Sequence, residues 1–340
     1  MTPEARRKGW SRAGVAAAAV LVATGAGFGL VRYVRSTMGA EARAPKPAPI
    51  NGERAFGYLK EICDIGPRPA GSKANGRQRK LVVDHFKARG AKVREQDFPA
   101  RDPSTGRRVE LANVIGSWHP ERTNRVLIAA HYDTRPFADM DDEPKRSQVP
   151  FLGANDCASG VALLMEIANH LDTLETTWGV DLVLFDGEEL VYGRHADLNF
   201  YFLGSKHFAR AYVADRKSGK AKYRYSAGIL LDMIGGRNVA LRQEPYSLTF
   251  ARGLVQEVWQ VAADLEEPAF RPEVGVEVSD DHLPLNNIAS IPTIDLIDFE
   301  YPHWHTTQDL PENCSPDSLE RVGRVLTAWL SLPKRGSKKK

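Results

Sequence analysis

Apolar and β-branched residues gather in short runs through the middle of the chain: "RVLIAA" at 125–130, "VDLVLF" at 180–185, "GILLDMI" at 228–234 and "PTIDLI" at 292–297. Runs of this length with little polar alternation predict strands buried on both faces, in a largely parallel or mixed sheet. Further strands are expected near 92–98 and 110–116. Between the runs the spacing turns helical. A helix is predicted near 75–89, closed by Gly90, and in 157–171 the residues Val161, Leu164, Met165, Ala168 and Leu171 fall on one face. A last helix starts at Ser315-Pro316, an N-cap and first-turn proline, and buries Leu319, Val322, Leu326 and Trp329. Residues 53–333 therefore read as one α/β domain.

The N-terminal pattern is different. Residues 13–31 are 19 positions without a charge, preceded by Arg6, Arg7, Lys8 and Arg12 in a basic segment, 1–12. The length and the flanking charge predict a transmembrane anchor with the body exported and the segment lying in the lipid bilayer; a cleaved signal peptide is the alternative. A Pro-rich linker, 32–52, joins it to the body. The net charge of +3 conceals a segregation. Residues 1–46 hold eight Lys/Arg and two acids, and the tail 334–340 holds five Lys/Arg and none, leaving 33 basic and 41 acidic residues in 47–333, a net charge of −8. An acidic body argues against nucleic acid as a partner. Three cysteines, Cys63, Cys157 and Cys314, make neither a disulfide framework nor a thiolate zinc pattern, and read as buried thiols.

Chemistry concentrates where the apolar runs stop. "LVLFDGEELVYG" runs from a strand pattern straight into Asp186, Glu188 and Glu189, where burial of like charges costs several kcal/mol. "LIAAHYDT" ends on His131 and Asp133, "LGANDCASG" puts Asp156 in a Gly/Asn turn just before a helix, "LLDMIGG" carries Asp232, and "YPHWHTTQD" carries His303 and His305. Each has a bland explanation: solvated acids in a loop, a helix N-cap for Asp156, a turn former for Asp232, a satisfied core histidine for His131. Jointly the five motifs place ionisable groups at the carboxyl ends of predicted strands or directly after them, where open α/β sheets bind ligands. Asp, Glu and His without Cys suit a catalytic zinc. The adjacency of Glu188 and Glu189 then acquires a purpose, because consecutive extended residues point apart. One can ligate a metal while the other works as acid or base. The charged insertion 137–151 reads as a surface loop, with a place on the site rim as the lesser alternative.

These motifs, with "FLGSKHFA" and "SDDHLPL", resemble metallopeptidase family 28, the zinc aminopeptidases, and within it the glutaminyl cyclase branch, over roughly 53–333. The resemblance implies a mixed, mostly parallel sheet flanked by helices. It implies Asp156, Glu189 and His305 as ligands of one zinc, Glu188 as the proton-transferring glutamate, and Asp232 and Asp280 as partners in that proton traffic. Trp304 and His282 would line the substrate pocket. In the aminopeptidase alternative, His131 and Asp232 hold a second zinc bridged through Asp156, and Glu188 activates water. The substrates would be peptides or proteins with free N-termini. Three departures stand out: "GANDCASG" keeps the peptidase-like Ser159-Gly160, Arg194 stands where animal cyclases have tryptophan, and Ala130 replaces their disulfide cysteine. A tethered binding protein that has lost catalysis is a further alternative, separable by its zinc content.

Overall fold

The computed structural model describes residues 46–103, 105–143, 145–191 and 200–332. Residues 1–45, which carry the basic segment, the apolar stretch and most of the linker, lie outside them, as do Arg194 and the basic tail. No helix among the described residues is long and apolar enough to cross a membrane.

In chain order the elements are α1 (Gly52–Asp64), α2 (Lys73–Ala88), β1 (Lys92–Arg101), β2 (Arg108–Trp118), β3 (Asn124–His131), α3 (Gly160–Ala168), β4 (Gly179–Phe185), α4 (Leu203–Lys217), β5 (Arg224–Asp232), β6 (Leu241–Gln243), α5 (Pro245–Asp264), β7 (Phe270–Val274), α6 (His282–Asn287), β8 (Thr293–Ile297) and α7 (Pro316–Leu330). The main sheet runs β1-β2-β4-β3-β5-β8, and β6 and β7 form a small separate pair. Strands β4, β3, β5 and β8 are parallel, while β2 lies antiparallel to both β1 and β4.

The unbroken apolar runs follow from cover on both faces. Ile128, Leu182, Leu184, Ile229 and Leu296 join the large core that also holds residues of α1, α2, α3, α5 and α7. Their neighbours Leu127, Ala129, Val183, Phe185 and Leu230 face the other way, against Phe208 and Tyr212 of α4 and Leu285 of α6. With period two, each strand feeds alternate residues to each layer. Helix α7 forms as its sequence predicts: the Ser315 side chain accepts the Asp317 N–H, and Leu319, Val322, Leu326 and Trp329 are buried. Cys63, Cys157 and Cys314 are free and buried.

Two readings need adjustment. The helix expected over 157–171 is a shorter α3 preceded by a π-helical turn over 154–159, because Asp156 takes a non-helical conformation (φ −108°, ψ 84°). All nine residues of α3 are buried, so it has no solvent-exposed face. At the other boundary, the last residues of the expected linker belong to the body: Ala48 and Ile50 are buried, and the Ala48 N–H donates to Thr327 Oγ1 at 3.1 Å.

Candidate active site

The four parallel strands end along one edge of the sheet, and the candidate residues collect there. His131 and Asp232 are the last residues of β3 and β5. Glu188 and Glu189 follow β4 by three and four residues, and His305 comes from the loop after β8. Asp156 is the exception to the strand-end pattern: it enters from the turn that leads into α3.

Two buried carboxylates shape the turns that carry the ligands. Asp133 accepts backbone N–H bonds from Gly187 (3.0 Å) and Glu188 (3.1 Å) on Oδ1 and from Glu189 (3.0 Å) on Oδ2. Gly187, at φ +73°, lets the chain turn sharply enough to present all three. Asp309 does the same for the Asp156 turn, accepting from the N–H of Asn155 (2.8 Å) and Asp156 (3.1 Å) and from the Tyr301 hydroxyl (2.9 Å). Burial pushes each carboxyl up, to about 7. Asp133 and Asp309 sit inside the "HYDT" and "HTTQD" motifs, but nothing in residue type separates a ligand from the group that holds its backbone.

Two donor sets share Asp156. In the first, His305 Nε2 lies 3.3 Å from Asp156 Oδ2 and 3.1 Å from Glu189 Oε1. In the second, His131 Nε2 lies 3.1 Å from Asp156 Oδ1 and 3.3 Å from Asp232 Oδ1. Donors about 2.0–2.1 Å from a tetrahedral zinc stand about 3.3 Å from one another. Both sets fit, each holds three groups on one potential ion, and the first is buried throughout. The rings are oriented for it. His131 Nδ1 faces the Asp133 carbonyl at 3.1 Å, which can only accept, so Nδ1 carries the proton and Nε2 turns its lone pair inward.

The surroundings of both rings favour positive charge at this position. Burial alone would favour neutral rings, but Cys157, Asp156 and Asp232 around His131, and Glu189, Asp139 and Asp156 around His305, outweigh it and hold both well above the usual imidazole range. The two adjacent glutamates diverge. Burial opposes the Glu189 charge, yet Arg135 and His305 hold its carboxyl well below the usual range. Burial and the neighbouring Glu189 push Glu188 well above it.

The remaining candidates fall around this centre. Asp280 is 4% exposed, its Oδ2 has no hydrogen-bond partner, and burial together with Asp232 raises its carboxyl to about 7. Trp304 is partly exposed and stacks on His305 with ring centroids 4.1 Å apart, beside Phe299. His282 is fully enclosed, with Nε2 3.5 Å from Glu244 Oε2 and Nδ1 3.8 Å from Asp295 Oδ2. Sequence reasoning passed over Arg135, whose Nη1 donates to Glu189 Oε2 at 2.6 Å. A single arginine beside a charged insertion looks like ordinary surface.

Comparison with known proteins agrees with this geometry. A glutaminyl cyclase from Fimbriiglobus ruber superposes with a TM-score of 0.81 at 38% identity, over 87% of this chain and 100% of that one. A Zn-dependent exopeptidase from Parabacteroides distasonis gives a TM-score of 0.78 at 30% identity, over 84% of this chain and 99% of that one. The glutaminyl-peptide cyclotransferase of Gloydius blomhoffii is 27% identical over 283 residues, 73% of this chain and 74% of the relative. The model of peptidase family M28 matches residues 113–330, and the chain belongs to that family.

Proposed function

We infer that this protein is a zinc-dependent glutaminyl-peptide cyclotransferase, converting an N-terminal glutamine to pyroglutamate with release of ammonia. The observation that carries the reading is the division of labour between neighbours: Glu189 sits in a three-donor cluster with Asp156 and His305, while Glu188 stays outside it, buried and with its carboxyl unused by that cluster. The relatives at 38% and 27% identity that bear the cyclase name support it.

Asp156, Glu189 and His305 would hold the zinc. When bound, it supplies Lewis-acid polarisation of the glutamine side-chain carbonyl and compensates the charge that builds on its oxygen. Everything else falls to the protein. The attack is intramolecular, by the peptide's own α-amine, so the site mainly keeps amine and carbonyl in reacting distance. Trp304, packed on the buried group of Met233, Val278, Ile297 and Tyr301, offers a backed aromatic wall against which the substrate stem would pack. As the new C–N bond forms, Glu188 takes one proton from the amine and returns it to the departing nitrogen, so that ammonia leaves and Glu188 ends as it began. Asp280 and Asp232, both held above the ordinary carboxylate range by burial, keep protons nearby for that exchange. The exported, membrane-anchored placement of this body is proposed on the charge-free stretch 13–31 alone.

A second reading rests on the second donor set. His131, Asp156 and Asp232 fit a further zinc, and with two ions the site would suit an aminopeptidase in which Glu188 activates water. Mass spectrometry of a peptide beginning Gln-Phe separates the two. Loss of ammonia, blocked by a chelator, supports the cyclase. Loss of the whole first residue supports the peptidase, and no change in a zinc-loaded protein would overturn both.

A further inference from the structure

Glu189 and His305 each turn one atom toward the proposed zinc position and another away from it, and the outward atoms meet a single pair of side chains. Arg135 Nη1 donates to Glu189 Oε2 at 2.6 Å, leaving Oε1 to face His305. Arg135 Nη2 donates to Asp139 Oδ2 at 3.0 Å. Asp139 Oδ1 lies 3.3 Å from His305 Nδ1, and His305 Nε2 points back at Glu189. Four side chains thus close a ring, with Arg135 only 4% exposed.

The same segment also holds the backbone. The Met140 N–H donates to the His305 carbonyl at 3.2 Å, and Asp141 Oδ2 accepts from the Thr307 N–H (3.1 Å) and hydroxyl (2.6 Å). His305 needs such support, since it lies at φ +53°, a region costly for a side-chain-bearing residue. The start of the insertion 137–151 is therefore a strap across the ligand loop, not a free surface loop.

We propose that Arg135 and Asp139 are positioning residues that set the geometry and zinc affinity of the Asp156–Glu189–His305 site. This rests on the zinc reading above. A carboxylate behind a ligating imidazole fixes its tautomer and raises its basicity, and the arginine on Oε2 confines Glu189 to ligation through Oε1. The pair is also charge-balanced. Asp139 offsets Arg135, so the ring orients two ligands without changing the net charge presented to a divalent cation. Removing Asp139 alone leaves the guanidinium facing that cation, and removing Arg135 as well takes this repulsion away.

The test is zinc affinity, measured on the purified chain by competition with a chromophoric chelator, with the visible spectrum of the cobalt(II)-substituted protein as a readout of ligand geometry. Asp139→Ala is expected to raise the zinc Kd about 10- to 100-fold and shift the cobalt bands. The double variant Arg135→Gln/Asp139→Ala is expected to bind no more weakly than Asp139→Ala, so the losses do not add. A wild-type Kd and spectrum in Asp139→Ala, or losses that simply add, would overturn the proposal. Should Asp139→Ala fail to fold, Asp139→Asn keeps the shape and drops the charge, and unchanged affinity and spectrum there are equally fatal. A wild-type chain that takes up no stoichiometric zinc would instead refute the zinc reading itself.

Discussion

Glu188 and Glu189 are neighbours in the chain with opposite surroundings. Glu189 is gripped by Arg135 at 2.6 Å and His305 at 3.1 Å, while the basic group near Glu188 is His131, whose Nδ1 stands 3.9 Å from Oε2. Their backbones are fixed by the same acceptor, Asp133. The difference between them therefore lies in where each side chain goes after a shared, rigid turn. Glu188→Gln keeps that turn and removes the proton carrier. Turnover, followed as ammonia released from a Gln-Phe peptide, should fall about a hundredfold or more with zinc content unchanged. Full activity in this variant would remove Glu188 from the mechanism.

Ligand deletions separate one ion from two. With a single zinc on Asp156, Glu189 and His305, the variants Glu189→Ala and His305→Ala lose bound metal while His131→Ala keeps one ion per chain. Metal analysis after dialysis reads this directly. Two ions in the wild type, falling to one in His131→Ala, would favour the peptidase arrangement, since His131 belongs to the second donor set.

Much of this site was legible because its residues interrupt apolar runs: a histidine or carboxylate that ends a strand buried on both faces cannot be solvated where it starts. That argument finds His131, Asp232, Glu188 and Glu189 on structural grounds. It does not by itself explain Asp156, which the Gly/Asn pattern of its motif puts in a turn before a helix; the shape of that turn comes from Asp309, 153 residues away. It also misses Arg135 and Asp139, whose roles depend on which atoms of Glu189 and His305 remain unused. That β3, β4, β5 and β8 are buried strands of a largely parallel sheet followed from their unbroken apolarity; their order in the sheet did not. The antiparallel placement of β2 beside β4 did not, because its first half alternates while its second half is buried.

Gly153 is the glycine on which the Asp156 turn depends. Its φ of +63° suits glycine, and a Cβ there would stand 2.3 Å from the Asp156 carbonyl oxygen and 2.7 Å from Thr134 Cγ2. The buried Arg68 guanidinium also donates to the Gly153 carbonyl at 2.9 Å, so the backbone has little room to yield. Gly153→Ala should cost about 1–3 kcal/mol in chemical denaturation. Because the displaced oxygen belongs to a proposed ligand, zinc affinity should fall in the same variant. A stable Gly153→Ala protein with wild-type metal binding would show that the turn adapts.

Glu166 offers a test of the body away from the site. At 0% exposure it accepts Nε and Nη2 of Arg54 (2.7 and 2.8 Å) and the Asn51 N–H (2.9 Å), tying the start of α1 to α3. Burial opposes its charge, but the bonds from His170, Arg54 and Asn51 prevail and lower its carboxyl from 4.5 to about 2. A depressed folded pKa means stability that is present above the unfolded value and lost as pH falls through the folded one. The Arg54 side chain is 42% exposed, so screening trims the contribution. Glu166→Gln should therefore cost about 1–3 kcal/mol at pH 7. The gap between variant and wild type should narrow as pH falls from about 4.5 toward 2. Denaturant titrations at pH 7 and near pH 3 measure both ends of that window. An equal cost at the two pH values would mean that Glu166 acts through shape rather than charge.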